Sequence, residues 1–177
     1  MSEARFQTAG LKENSLKADL IRSAVNIVLE SDDSPAGKLQ AVCDLLHKNA
    51  VNYHWAGYYF VDRHSPSQLV LGPYAGTPTS YTRIDFGQGI CGQAASTCSV
   101  FVVDDVSAES NYLSCSPDVK SEFVAPVVWN GILVGELDLD SNVPAAFGGN
   151  DTELLKWVAE ITADTVAAAS GFQLEKH

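Results

Sequence analysis

Apolar and polar positions follow two rhythms along this chain, and the change falls near residue 52. Before it, Leu16, Leu20, Ile21, Ala24, Val25 and Val28 recur at the spacing of one helix face, which predicts a helix from Asn14. Residues 1–13 carry no such stripe and are expected to form a flexible arm. Ser34-Pro35 then supplies an N-cap followed by proline at the first helical position. The helix it opens carries Leu39, Val42, Cys43, Leu46 and Ala50 on one side. Cys43 therefore reads as core, because a buried free cysteine packs as a small hydrophobe.

After Asn52 the period shortens to that of strands. The segments HWAGYYFVD and QLVLGPY are separated by the polar RHSPS, which predicts an antiparallel pair. TRIDF and VFVVDDV follow, with GQGICGQAAST between them as a turn and a short helix. SEFVAPVV and ILVGELDLD meet at Trp129-Asn130-Gly131, and Asn-Gly between apolar runs is a strong hairpin signal. Asn150 and Glu153 resemble a capping box opening a long helix, with Leu154, Val158, Ile161 and Thr165 facing inward. The sum is an α+β chain with about six mostly antiparallel strands and helices packed on the sheet. One domain is expected over residues 14–172, with a tail at 173–177.

The turn length decides which side chains share a face of the hairpin. A two-residue turn pairs Trp129 with Ile132 and sets Glu122 opposite Leu139. A three-residue turn ending in a left-handed Gly131 pairs Val128 with Ile132 and sets Glu122 opposite Asp138. The second sorts the strands better. It gathers Phe123, Ala125, Val127, Leu133, Leu137 and Leu139 on one face. Glu122, Glu136, Asp138 and Asp140 then share the other with Val124, Val128, Ile132 and Val134. A face lined by aliphatics with acids at one end suits a small cation with an apolar tail, whereas an open acidic face would simply be solvated.

Composition narrows the field. The 177 residues carry a net charge of −11, which argues against nucleic acid or an anionic membrane as partner. No apolar run is long enough to cross a bilayer, and the first residues lack the pattern of a signal peptide. The four cysteines Cys43, Cys91, Cys98 and Cys115 are far apart, with no C-x-x-C, so a reducing cytoplasm is the expected setting.

Gly87-Gln88-Gly89-Ile90-Cys91-Gly92 matches G-x-G-x-x-G, but a dinucleotide fingerprint needs a parallel βαβ unit and the neighbours here read as antiparallel. The glycines are expected to permit a sharp turn at a helix start, whose amides suit a small anion. The histidines do not cluster with cysteines at ligand spacing, so no metal site is expected. Cys98, at a helix end, reads as structural. Candidate chemistry rests on Cys115, in the loop NYLSCSPDVKSEF, on Cys91, and on the acids. Carboxylates near a thiol suppress its thiolate unless they share protons. A proton donor beside a thiol is what sulfoxide reduction needs: the thiol sulfur attacks the sulfoxide sulfur, and an acid protonates the departing oxygen. The cysteine is left as a sulfenic acid for a second thiol to resolve.

HWAGYYFVD, LVLGPYAG, GQGICG, the Cys115 loop running into SEFVAPVV, and GELDLDS occur here in the order found in the free methionine-(R)-sulfoxide reductases. The chain resembles that GAF-domain family over about residues 52–142. The resemblance implies a GAF-like fold, Cys115 as the cysteine that attacks sulfur, and Glu122, Asp138 and Asp140 as the acids that hold the substrate ammonium and assist protonation. It implies Trp55 and Tyr59 as walls of the pocket, no cofactor, turnover with thioredoxin or another thiol, and a homodimer as one possible assembly. Cys91 falls on the family cysteine of the G-x-G-x-C-G turn. One departure concerns regeneration. Ser80 and Tyr81 stand where the family often has the cysteine that closes a disulfide with the catalytic one. Either Cys91 resolves Cys115 or an external thiol does. A non-catalytic GAF module that binds a small ligand is the rival reading. An oxidant-sensing thiol explains Cys115 but not the acids.

Overall fold

The computed structural model describes residues 3–113 and 116–172, and for residues 3–15 the main chain alone. Helices α1 (Glu3–Glu30) and α2 (Pro35–Asn49) lead into strands β1 (Trp55–Asp62), β2 (Ser65–Gly76) and β3 (Arg83–Asp85). Helix α3 (Gly89–Thr97) and strand β4 (Phe101–Val103) follow, then β5 (Ser121–Trp129) and β6 (Ile132–Ser141). Helices α4 (Gly149–Ile161) and α5 (Ala163–Ala169) close the described chain. The strands form one six-stranded sheet in the order β3-β2-β1-β6-β5-β4. Every neighbouring pair is antiparallel. This is the α+β architecture the patterning predicts, and it removes the parallel unit that a dinucleotide fingerprint requires. None of the described helices is long and apolar enough to cross a membrane.

The sheet separates two buried layers. Beneath α1, α2, α4 and α5 lies an apolar core that includes Val25, Leu39, Tyr58, Phe123, Leu137 and Leu155. Above the opposite face, α3 and the loops around it cover a second cluster that includes Trp55, Tyr59, Leu69, Ile90, Cys91 and Val124. Cys43 is wholly buried in the first layer, as expected, with its Sγ donating to the Pro73 carbonyl at 3.4 Å. Burial, and after it the charge of Asp44, pushes its thiol well above the ordinary range.

Helix boundaries show where local signals succeed. Ser34 caps α2 as predicted, its Oγ accepting from the Gly37 amide at 3.1 Å with Pro35 at the first turn. Helix α1 starts at Glu3 rather than Asn14. Its first residues lack an apolar stripe but contain no proline, and extending a formed helix needs only one further hydrogen bond per residue. Ile21 and Val25 are buried as the stripe requires, whereas Leu16 and Leu20 remain 65% and 69% exposed. At the other end, the residue before α4 is Gly148, so Asn150 falls inside the first turn and makes no cap. The predicted long helix divides at Thr162. Its Oγ1 donates to the Val158 carbonyl at 2.8 Å and accepts from Tyr58 Oη at 3.1 Å, so the hydroxyl is satisfied inside the core. Thr162 and Val166 turn inward here, leaving Ile161 exposed and Thr165 half-buried.

The β5–β6 hairpin departs from both registers considered above. Asn130 and Gly131 both have positive φ, 49° and 79°, so the turn has two residues and Trp129 pairs with Ile132. A bulge then inserts Val134 on β6, because Val128 pairs with Leu133 while Val127 pairs with Gly135. Glu122 consequently lies opposite Asp140, not Asp138. The bulge exchanges two side chains between the faces: Val134 enters the helix-side core and Leu133 joins the α3 side. It also restores the parity that keeps the acids together.

Candidate functional site

The register of β6 against its two neighbours builds a row of acids on the α3 side of the sheet. On one flank Trp55, Gly57 and Tyr59 of β1 lie opposite Asp140, Asp138 and Glu136. On the other, Glu122, Val124 and Pro126 of β5 lie opposite the same three residues. Gly57 matters because a β-carbon there would run into the Trp55 ring and lie 2.8 Å from Tyr74 Cβ. Its bare backbone lets the Trp55 indole lie across the strand, stacked on Tyr74 with ring centroids 5.6 Å apart. Tyr59 stands beside Trp55 and donates its hydroxyl to the Tyr81 carbonyl at 2.8 Å.

Helix α3 covers this row, and the glycine turn positions its start. Gly87 and Gly89 have φ of 87° and 66°, which L side chains rarely adopt. The turn is closed by the Gly87 amide donating to the Gly92 carbonyl at 2.7 Å. Asn111 fastens the turn from outside, donating its Nδ2 to the Gly87 carbonyl at 2.8 Å and accepting from the Gly89 amide at 3.4 Å. In the structure this turn fixes the helix, which points Cys91 down onto the acids. Cys91 Sγ lies 3.3 Å from Asp138 Oδ2 and 3.8 Å from Glu122 Oε1.

All four acids are buried: Glu122 is 5% exposed, Asp138 2%, Asp140 3% and Glu136 fully enclosed. Burial pushes Asp138 up to about 7, with its hydrogen bond from Cys91 pulling the other way. Burial likewise holds Glu122 well above the carboxylate range, reinforced by Asp138, Asp140 and Glu136. Asp140 is raised by burial and then by Asp138, and Glu136 chiefly by burial. The Cys91 thiol is driven up by burial and next by Asp138, Glu136 and Glu122. Carboxyls this close and this dry share protons near neutrality, so the cluster is a store of acid. Trp55 Nε1, Asp138 Oδ1 and Asp140 Oδ1 find no hydrogen-bond partner among the described residues, and the Glu136 oxygens find none beyond the Cys91 thiol. Buried polar atoms left without partners mark a place where a ligand supplies them.

Cys115 lies outside the described residues. The described chain stops at Leu113 and resumes at Ser116, and Leu113 packs so closely on Gly89 that a β-carbon there would lie 2.9 Å from Leu113 Cγ. Ser116 lines a cavity of about 80 Å³ together with Trp55, Asp140, Asp118 and Thr77. The chain before residues 114–115 is thus held against the start of α3, and the chain after them lies beside Asp140 and Trp55.

Residues 36–167 match the GAF domain family. The chain is 30% identical over 146 residues to the free methionine-R-sulfoxide reductase of Saccharomyces cerevisiae, covering 76% of this chain and 81% of that one. This chain belongs to the GAF-domain free methionine-R-sulfoxide reductase family. Protein YtsP of Bacillus subtilis is 37% identical over 123 residues, which span 70% of this chain and 74% of YtsP. Among solved structures, the Neisseria meningitidis free methionine-R-sulfoxide reductase in complex with its substrate superposes with a TM-score of 0.80. The two are 31% identical, covering 90% of this chain and 93% of that one. The GAF fold is therefore the fold of this chain, as the motif order implies.

Of the residues that the sequence singles out, the structure brings Glu122, Asp138, Asp140, Trp55, Tyr59 and Cys91 into one buried layer. Sequence reasoning placed Glu136 on the acid face without a role, and the structure encloses it beside Cys91. It missed Asn111, although an asparagine between two loops is a recognisable clamp once the glycine turn is known. Cys98 is a departure: it is exposed, and ends α3 in a left-handed conformation with φ 48°. Cys91, Glu122 and Asp138 also bring three ligand atoms within 4.8 Å of one another, a donor set that the scattered histidines gave no reason to expect.

Proposed function

We propose that the protein reduces free methionine-(R)-sulfoxide to methionine, with Cys115 as the attacking thiol. The observation that carries this reading is the buried acid row beside Trp55. Glu122, Asp138 and Asp140 offer unpaired or proton-sharing carboxyls in a dry layer, where a primary ammonium gains most from them. Trp55 and Tyr59 offer the aromatic wall for the methylthio end. A peptide-bound methionine sulfoxide has no free ammonium, and a small covered cavity excludes its chain. The family names of the relatives point the same way.

The chemistry follows from the protonation of the row. Cys115 sulfur attacks the sulfoxide sulfur, and the S–O bond breaks as a carboxylic acid of the row delivers a proton to the oxygen. Asp138, with its value near 7, is suited to hold that proton at neutral pH and release it in the reaction. The displaced oxygen, released as water, then adds to the Cys115 sulfur and returns a proton to the row. The sulfur–sulfur bond made in the attack breaks with its electron pair going to the thioether, so that Cys115 is left as a sulfenic acid and methionine leaves. A thiol then attacks the sulfenic sulfur, releasing water and forming a disulfide, which a second thiol reduces. Thioredoxin or another cytoplasmic dithiol supplies those electrons. Cys91 is the candidate internal resolver, but its burial among carboxyls holds it as a thiol and disfavours it as a nucleophile. An external thiol is the route this environment favours.

The test is methionine release from each epimer of the free sulfoxide with dithiothreitol, using Cys115→Ser as control. Turnover of the R epimer alone, lost in Cys115→Ser, is expected. Turnover of neither epimer would remove the reductase reading and leave a ligand-binding GAF module.

A further inference from the structure

The attack on sulfoxide described above does not require Cys91, yet this side chain is held against two carboxyls by a glycine turn built for close approach. Its Sγ stands 3.3 Å from Asp138 Oδ2 and 3.8 Å from Glu122 Oε1, and all three ligand atoms lie within 4.8 Å of one another. Zinc-type bonds of roughly 2.3 Å to sulfur and 2.0–2.2 Å to oxygen set tetrahedral ligand separations of about 3.5 Å. The two sulfur–oxygen separations match that spacing, and the third pair of ligand atoms lies within 4.8 Å, close enough for one ion to draw them in. A second observation is independent of that spacing. Glu136 is fully enclosed, and apart from the Cys91 thiol its two oxygens find no hydrogen-bond partner among the described residues. Asp138 Oδ1, the far oxygen of a ligand carboxylate, is likewise buried and unpartnered.

We propose that Cys91, Glu122 and Asp138 form a binding site for a borderline-soft divalent cation of the zinc and cobalt class, with Glu136 supporting it from beside Cys91. The donor set selects that class. One thiolate and two carboxylates match zinc or cobalt, whereas magnesium and calcium demand six or more oxygen ligands. Two anionic carboxylates and a thiolate also give the ion the charge compensation that this dry layer lacks. The site overlaps the carboxyls assigned above to the substrate ammonium, so a bound ion and the amino acid exclude one another. Metal occupancy is thus a reversible off-state of the acid row. The proposal does not rest on the reductase reading, because the ion can be detected without substrate.

The experiment is titration of the reduced full-length protein with cobalt(II) alone, followed by absorption. One equivalent is expected to produce a thiolate-to-cobalt charge-transfer band in the near ultraviolet. The band should vanish in Cys91→Ser and persist in Cys98→Ser and Cys115→Ser. Asp138→Asn, a second probe should Cys91→Ser fold poorly, should weaken binding by more than the ~10–100-fold that an outer-shell partner contributes. Glu136→Gln should fall within that range. Absence of the band in the folded wild type would overturn the site. So would a band that survives Cys91→Ser, or one that disappears in Cys115→Ser or Cys98→Ser.

Discussion

Tyr58 and Tyr59 are chain neighbours on β1 and both are wholly buried, but they enter different worlds. Tyr58 points into the core beneath the helices, where its hydroxyl meets Thr162 and its other neighbours are apolar. Tyr59 points into the layer under α3, opposite Glu136 and beside Trp55. The same division runs along β6, where Leu137 and Leu139 alternate with Glu136, Asp138 and Asp140. It runs along β5 too, where Phe123 faces the helices and Glu122 the acids. One set of strands therefore supplies both a stabilising face and a face that is poorly satisfied by itself. Burial on the helix side gains free energy for each apolar atom removed from water, while burial on the α3 side costs free energy for each carboxyl left without a partner. The excess from the first offsets the second, which is how a strained, acidic site persists in a stable fold.

That contrast predicts opposite signs for substitutions on the two faces of the same strand pair. Phe123→Ala empties the centre of the helix-side core, where Phe123 packs on Phe147 with ring centroids 6.0 Å apart. It should destabilise the protein by about 3–5 kcal/mol in urea unfolding. Asp138→Asn should act the other way above neutral pH, because it removes a charge that burial opposes. The sign follows from linkage. Asp138 titrates near 7 in the fold against an ordinary 3.8, so the native state binds the extra proton between those values. Wild-type stability should therefore fall as pH rises through that window. Asp138→Asn should flatten the fall and be more stable than wild type at pH 8, by on the order of 1–3 kcal/mol. A pH profile of thermal unfolding for the two proteins checks this, and equal slopes would contradict it. An effect of similar size but destabilising sign is expected at Gly57→Ala. Its new methyl meets Trp55 and Tyr74, for a cost of about 1–3 kcal/mol of overpacking. Because Trp55 must move off the strand, the loss in kcat/KM should exceed what the stability change explains.

The comparison of the two faces also shows what a sequence discloses. Alternation along GELDLD was enough to put Glu136, Asp138 and Asp140 on one side, because side-chain direction has a period of two, but Glu122 joined them only through the choice of a three-residue turn. The pairing was not legible. Asn130-Gly131 correctly signals a tight turn, but nothing in VVWNGILVGE announces that Val134 bulges. The apolar residues on both sides of that site fit either face equally well. The face assignment of the acids survived because the shorter turn and the bulge each shift the register by one in the same direction, and a shift of two keeps every side chain on its face. Helix α2 was readable from Ser34, Pro35 and its stripe, whereas α1 ran past its predicted start since helix extension leaves no apolar mark. The contact between Cys91 and the acids was invisible for another reason. It joins residues far apart in the chain, through a glycine turn whose direction depends on Asn111 and on the strands it spans.

The central claim is that the buried acids recognise the ammonium of a free amino acid. The most direct measurement compares kcat/KM for free methionine-(R)-sulfoxide with that for its N-acetyl derivative, in wild type and in Asp140→Asn. The account predicts strong preference for the free amino acid in wild type, and a preference reduced by at least ~10-fold in the variant, since a charge-assisted bond in a dry site contributes more than ~1.4 kcal/mol. Equal efficiency on both substrates in wild type would show that the acids do not hold the ammonium.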